Sequence, residues 1–169
     1  MPRTQIDLLI DALDFAYKGD RWSALLSNLA PVTDAEWAVT PAEHSAEIFG
    51  DDPELSIGDI VLHIAGPLVM YGNRAFGDGT MTWERVGTDL RGRDRASVLA
   101  WLDLVYGRFV DGLQALAEDA SLDELRTAHW GQEIPVRHFV AIMMNHMLYH
   151  SGEINRQLSL MRGANGWER

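Results

Sequence analysis

The chain of 169 residues contains no cysteine and a single lysine, Lys18. The absence of cysteine excludes disulfide bonds, thiolate metal ligands and cysteine nucleophiles, and it is compatible with a reducing compartment. Arginine supplies nearly all the positive charge, and the formal net charge is −11. Because such a chain repels phosphate groups, we expect no nucleic-acid partner. The one basic cluster, at 91–95, is short and interrupted, and we interpret it as a solvated loop.

The sequence also lacks an apolar run of membrane-spanning length, so we expect no membrane partner. Its first residues include the acid Asp7 where a signal peptide needs an apolar segment. We therefore expect a soluble, cytoplasmic protein. Hydrophobic residues make up 47% of the chain and charged residues 23%, which suits a single globular domain over 1–169.

Hydrophobic periodicity predicts an all-α fold, because apolar residues recur at helical spacing and no segment alternates as a strand would. The four predicted long helices span 4–29, 56–76, 94–117 and 136–162. Gly19 marks a possible break in the first helix. A long connection over 30–55 carries proline and glycine, with one short helical turn near 34–37. A capping pattern further predicts a short helix over 121–128.

The second helix begins with a capping pattern formed by Ser56 and Asp59. Asp59 also lies four residues before His63, so it could instead be a metal ligand or could orient one. Of these two roles we favour the cap. Pro67 lies inside the helix and lacks an N–H donor, so we expect a kink or a widened turn that could shape a pocket beside His63.

The most informative stretch, 145–154, places His146 and His150 four residues apart in the last helix. Both imidazoles project from one face, so the pair can bind one divalent ion as in the helical His-x-x-x-His of zinc enzymes. His63, in the apolar stretch 60–66, is the candidate third ligand. Three histidines from two packed helices would leave one coordination position open. The alternative is an incidental histidine pair and a core histidine at position 63.

Several other residues are weaker candidates. Glu153 shares the face of the histidine pair and could act as a catalytic base or orient a ligand, or it could be an ordinary polar residue. Four further residues could line a pocket or belong to the surface: Tyr71, Arg74, Tyr149 and Arg156. Three histidines lie outside the pattern and need no special role: His44, His129 and His138.

The arrangement of these motifs resembles the DinB/YfiT-like superfamily of metal-dependent enzymes, which includes mycothiol- and bacillithiol-dependent transferases. The resemblance is carried by Ser56-Ile57-Gly58 before His63-Ile64-Ala65, and by the stretch from His146 to Ile154 followed by Arg162-Gly163. The family has one histidine on its second helix and an H-x-x-x-H pair on its fourth, matching His63, His146 and His150. The resemblance implies a four-helix bundle of up-down-down-up order with long connections, and a homodimer.

Three imidazoles and an open position suit zinc first and nickel second, while iron and cobalt are also acceptable. Such a metal could ionise a thiol for attack on an electrophile, or a bound water for hydrolysis. The resemblance favours S-transfer, and because the chain has no cysteine the sulfur would come from a cosubstrate such as mycothiol or bacillithiol. A metal-dependent hydrolase and a non-catalytic module that binds a small ligand in a stress response remain the alternatives. No residue is a clear fourth ligand, which favours catalysis over a structural site.

Overall fold

The computed structural model describes residues 3–40 and 55–163 of the chain. Four long helical segments build it, which confirms the all-α prediction. They are α1 (Thr4–Asp14, continued by a π-helical turn at Phe15–Gly19), α4 (Ile57–Phe76), α5 (Arg95–Gln114) and α6 (Val136–Arg162). The shorter elements are α2 (Leu25–Leu29), α3 (Asp34–Trp37), two 3₁₀ turns (Trp83–Arg85, Asp119–Asp123) and strands β1 (Leu125–Thr127) and β2 (Glu133–Pro135). Most of the predicted connection over 30–55, and His44 with it, lies outside the described residues.

Helices α4 and α5 run parallel, side by side. Gly72 packs against the Phe109 ring, and the Phe76 ring packs against Gly112 one turn further along both helices. The missing β-carbons let these helices approach closely, since a β-carbon at Gly112 would lie 2.7 Å from Phe76. Because α4 and α5 are consecutive long helices that run in the same direction, the connection between them must return along the length of the bundle.

Helix α1 runs opposite to α5. Tyr17 at its end stacks on Tyr106, with ring centroids 3.7 Å apart. At its beginning the Arg3 guanidinium donates a 2.6 Å hydrogen bond to the carbonyl of Leu116, beyond the end of α5. The beginning of α1 thus lies near the end of α5, and the end of α1 lies near the middle of α5.

Helix α6 runs opposite to α4. The Gln157 side chain, late in α6, donates to the carbonyl of Leu55 just before α4 begins, at 3.1 Å. Tyr71, late in α4, lies near Phe139, early in α6, with ring centroids 6.2 Å apart. The bundle order is therefore up-down-down-up. Within the two described ranges, no helix is long and apolar enough to cross a membrane.

The first predicted helix is not continuous over 4–29. The chain leaves the helix after Gly19, and the Asp20 carboxylate accepts hydrogen bonds from the backbone N–H groups of Trp22 and Ser23, the latter at 2.8 Å. An aspartate that bonds to the backbone two or three residues on stabilises a turn in competition with helix. The break lies where Gly19-Asp20 had indicated a possible one in the sequence.

The short helix predicted over 121–128 is wrong, and so is the prediction that the chain has no strands. A 3₁₀ turn ends at Asp123, and β1 then pairs with β2 in an antiparallel hairpin in which Arg126 lies opposite Ile134. Gly131, with φ +88°, supplies the left-handed conformation at the hairpin tip. Each strand has three residues, which is too short for alternation to be recognised in the sequence.

Helices α4 and α5 begin at capping side chains. The Ser56 hydroxyl accepts from the backbone N–H of Asp59 and donates to its carboxylate at 2.7 Å, so the favoured capping role of Asp59 is confirmed. Asp94 caps α5 in the same way by accepting from the Ser97 N–H at 3.0 Å. Helix α4 continues through the buried Pro67 and carries His63 in its first half.

Candidate metal centre

Three histidines from two helices converge between α4 and α6. His63 projects from α4, and His146 and His150 project from one face of α6 because they are four residues apart. One ligand nitrogen of each lies within 4.8 Å of the corresponding atoms of the other two. The ring centroids are 4.9 Å apart for His63 with each partner, and 4.5 Å apart for the α6 pair.

Burial increases from one side of the cluster to the other. His150 is buried, with 8% of its surface exposed, His146 is half-buried, and His63 is exposed. The alternative in which His63 is a buried core histidine is therefore wrong. The cluster is closed towards α6 and accessible from solvent beside His63.

The environment keeps two of the imidazoles neutral. Burial, together with the neighbouring His150 and His63, lowers the pKa of His146 to about 4. Burial and His150 also lower the pKa of His63, against the opposing effect of the Glu153 carboxylate. A neutral imidazole offers the lone pair that a metal ligand needs. Near neutral pH the rings of His146 and His63 are therefore able to bind a metal ion.

Glu153 orients the most buried histidine. Its Oε2 lies 2.6 Å from Nδ1 of His150, while Nε2 of His150 lies 3.0 Å from Nε2 of His146. A carboxylate at Nδ1 favours the tautomer with its proton there, so the Nε2 lone pair faces the cluster. Of the three roles considered for Glu153, this contact matches the orientation of a ligand.

The donor set fits a divalent ion. In a tetrahedral zinc site with bonds of about 2.0–2.1 Å, neighbouring ligand nitrogens lie about 3.3 Å apart, close to the distance within the α6 pair. Nδ1 of His146 is buried and has no hydrogen-bond partner among residues 3–40 and 55–163, so the position of this ring is not explained by a hydrogen bond at that atom. Neutral imidazoles with a carboxylate behind one of them are the donor set that zinc prefers. These residues could therefore hold a divalent metal ion.

Comparison with known protein families gives a match over the part of the chain that contains the histidine cluster. The sequence model of the DinB superfamily matches residues 18–154, which include all three histidines. The chain belongs to the DinB superfamily. No curated protein and no solved structure matches it in the same comparisons. The resemblance drawn from the histidine spacing is thereby confirmed, together with the all-α DinB-like fold.

A polar network behind the cluster of this DinB protein was missed in the sequence. The Ser151 hydroxyl, next to His150 in α6, donates to the carbonyl of Ser23 and accepts from the Asn28 amide, both at 2.7 Å. Asn28 and Ser151 are both buried. Their only sequence signal is that two small polar residues occupy otherwise apolar helix faces. The network fixes α6 against the turn before α2.

The residues that the sequence suggested for a pocket lie in different parts of the structure of this DinB protein. Tyr149 lies beside the cluster, with its ring 5.0 Å from that of His150 and 69% of its surface exposed, and Arg156 is exposed one turn beyond Glu153. Arg74 instead braces the connection after α4 by donating to the carbonyl of Met81 at 3.2 Å.

The two remaining described histidines differ from each other. His138 is exposed in the first turn of α6. His129, which needed no special role in the sequence, lies at the hairpin tip and stacks on Tyr71, with ring centroids 5.5 Å apart. The hairpin therefore brings together residues that sequence spacing could not connect.

Proposed function

We propose that this DinB protein is a metal-dependent enzyme in which His63, His146 and His150 hold one divalent ion, with zinc the first candidate and nickel the second. The observation that carries the proposal is the convergence of three histidines, two of them held neutral, in a cluster that is open to solvent on one side. Catalytic zinc sites combine three protein ligands with one open position, whereas structural sites are closed by a fourth ligand.

The reaction we propose is transfer of sulfur from a low-molecular-weight thiol to an electrophile. When bound, the metal ion supplies Lewis acidity, which lowers the pKa of a thiol or of water. In the transfer a carbon–sulfur bond forms, the bond from carbon to the leaving group breaks, and the thiol proton departs with that group. Because the chain has no cysteine, the thiol is a cosubstrate such as mycothiol or bacillithiol.

The residues of this chain would orient the reactants. Glu153 holds His150 with its Nε2 towards the cluster, and the neutral His146 and His63 complete the donor set. The exposed side at His63 is where thiol and electrophile would enter. Solvent access at the same side favours metal-dependent hydrolysis as the second candidate, in which water replaces the thiol.

Two further properties follow from the same reasoning. We propose a homodimer on the basis of the superfamily, to be tested by light scattering during gel filtration. We also propose a cytoplasmic location, since a protein without cysteine suits a reducing compartment. Fractionation of the source cells checks it.

The deciding experiment is elemental analysis of untagged protein purified without added metal. The parent is compared with the His146→Ala/His150→Ala double variant and with His138→Ala, which removes an exposed histidine from the same helix. We expect about one equivalent of metal in the parent and in the control, and almost none in the double variant. A parent without metal that takes up neither zinc nor nickel would contradict the proposal and favour a non-catalytic binding module.

Assays with added thiols then separate the two reactions. Consumption of an electrophile that depends on mycothiol or bacillithiol supports S-transfer. Consumption that proceeds in water without any thiol supports hydrolysis.

A further inference from the structure

An aromatic cluster continues along α4 from the histidines. Tyr71 lies eight residues after His63, about 12 Å along the helix axis. Its ring stacks on His129 and meets Trp130 edge to face, at centroid distances of 5.5 and 6.2 Å. His129 in turn contacts Trp130 and Trp83 edge to face, at 4.9 and 5.3 Å. We call Tyr71, Trp83, His129 and Trp130 the aromatic wall.

The hairpin tip is built to hold its part of the aromatic wall. The backbone N–H of Ala128 donates to the carbonyl of Gln132 at 2.8 Å, and the N–H of Gly131 donates back to the carbonyl of Ala128 at 2.9 Å. The Trp130 indole N–H donates to the Gln132 side chain at 3.1 Å. A tip closed by these bonds fixes His129 and Trp130 over α4 before any ligand arrives.

Trp83 brings the wall to within one helical turn of the histidines. Gly66 lies three residues after His63 on the same face of α4. A β-carbon at Gly66 would lie 3.8 Å from the Trp83 ring and 3.4 Å from Val86. The bare backbone of Gly66 therefore lets Trp83 pack on α4 one helical turn from His63.

The wall leaves apolar surface in water. Trp83 and Trp130 are each 47% exposed. Burial and the nearby Arg74 charge lower the pKa of His129, so its ring is neutral near pH 7 and stacks as an aromatic group. Exposed aromatic rings grouped beside a candidate catalytic site are typical of a ligand surface. The ligand that gains most from them is flat and unsaturated, because it can stack on or between the rings.

We propose that the aromatic wall binds the electrophilic substrate, and that this substrate is a flat aromatic or conjugated compound whose reacting carbon is presented to the histidine cluster. This inference rests on the proposed function and adds the substrate class to it. The wall supplies stacking, while the chemistry stays at the exposed side of His63.

Titration calorimetry with two matched probes tests the wall. The probes are 2-naphthol, which is flat, and decahydro-2-naphthol, which has the same framework but is saturated and puckered. We expect the parent to bind 2-naphthol about tenfold more tightly, since stacking on one aromatic side chain is worth about that factor. The Trp130→Ala and Trp83→Ala variants should each lose most of this preference, whereas Trp130→Phe should keep it.

Trp22→Ala is the matched control, because Trp22 is a comparably exposed tryptophan, at 43%, that lies before α2. It should bind both probes as the parent does. Equal affinity of the parent for the two probes would overturn the inference, and so would full preference in both alanine variants. Circular dichroism melting identifies any variant that fails to fold, and Trp130→Phe then carries the test.

Cobalt(II) loaded into the parent tests whether the wall serves the histidine cluster. We expect the paramagnetic ion to broaden the proton resonances of bound 2-naphthol, and zinc to leave them sharp. The His146→Ala/His150→Ala variant should bind 2-naphthol without broadening. Binding to cobalt-loaded parent without broadening would overturn the substrate role of the wall. A parent that takes up no cobalt contradicts the proposed function instead, and the calorimetry distinguishes that failure from a failure of the wall.

Discussion

Two of the polar clusters between the described helices differ in how completely their hydrogen bonds are satisfied. Between α1 and α5, Tyr17 donates to Asp103 and Tyr106 donates to Asp14, and the two rings stack. Between α4 and α6, the histidines leave one buried nitrogen without a partner among the described residues and expose one ring to solvent. Buried polar groups are normally satisfied, so an unsatisfied cluster indicates a function other than holding the fold together.

The two clusters also differ in what their charges do. The tyrosines are neutral donors to carboxylates, which is a stable arrangement at neutral pH. The three histidines lie within ligand distance of one another, and two of them, His63 and His146, are held neutral. We therefore expect substitutions in the tyrosine cluster to change stability and substitutions in the histidine cluster to change metal binding.

The largest effect should come from His63→Ala. We expect metal content to fall from about one equivalent to almost none, because two remaining imidazoles make a weak site. The melting temperature of the metal-free protein should hardly change, since substitutions of exposed side chains alter stability by about 0.5 kcal/mol or less. Elemental analysis and calorimetric melting measure both quantities. Retained metal with a lowered melting temperature would make His63 a structural residue.

Glu153→Gln should have the next largest effect. The amide oxygen can still accept the His150 Nδ1 proton, but it lacks the negative charge that strengthens the ligand. We expect zinc affinity to fall about tenfold to a hundredfold, the usual cost of losing such a partner. Competition with a chromogenic chelator measures it, and Glu133→Gln, an exposed glutamate in β2, is the control. Unchanged affinity with lost turnover would instead assign Glu153 to proton transfer.

Both clusters depend on helix spacing, and that is why the histidine cluster could be predicted from the sequence. His146 and His150 are neighbours through the helical repeat alone, and the apolar stripes of α4 and α6 predict that these helices pack. The apolar stretch around His63 made it the candidate third ligand, and the superfamily resemblance supported that choice. The direction of each helix, by contrast, came from that resemblance and could not be read from spacing.

The aromatic wall could not be predicted, for a physical reason. Trp83, His129 and Trp130 come from a connection and a hairpin tip, where no periodic repeat specifies which residues meet. Three-residue strands give no alternation, and the helix-like cap at Ser121 favoured the wrong element there. The break at Gly19-Asp20, by contrast, could be indicated from the sequence, because glycine disfavours helix and aspartate favours turns.

Tyr17→Phe tests the prediction that the tyrosine cluster contributes to stability and not to metal binding. It keeps the stacked ring and removes the hydrogen bond to Asp103, whose carboxylate is exposed and can be solvated again. We expect the free energy of unfolding to fall by about 1 kcal/mol, measured by urea denaturation at pH 7. Metal content should equal that of the parent. Metal lost together with stability would show that the two clusters are coupled and would remove the contrast between them.

The smallest effect concerns pH. Burial and the hydrogen bonds to Asp103 and Asp14 raise the pKa values of Tyr17 and Tyr106 above their usual value near 10. A raised pKa stabilises the fold fully below pH 10, and this contribution is lost as the pH rises from 10 towards the pKa of the folded state, because the unfolded chain ionises first. The stability difference between the parent and Tyr17→Phe should therefore shrink above pH 10. Urea denaturation at pH 8, 10 and 11 measures it, with His63→Ala as a variant that should follow the parent. A difference that stays constant through pH 11 would mean that Tyr17 ionises alike in both states, and it would contradict a raised pKa of Tyr17 in the folded protein.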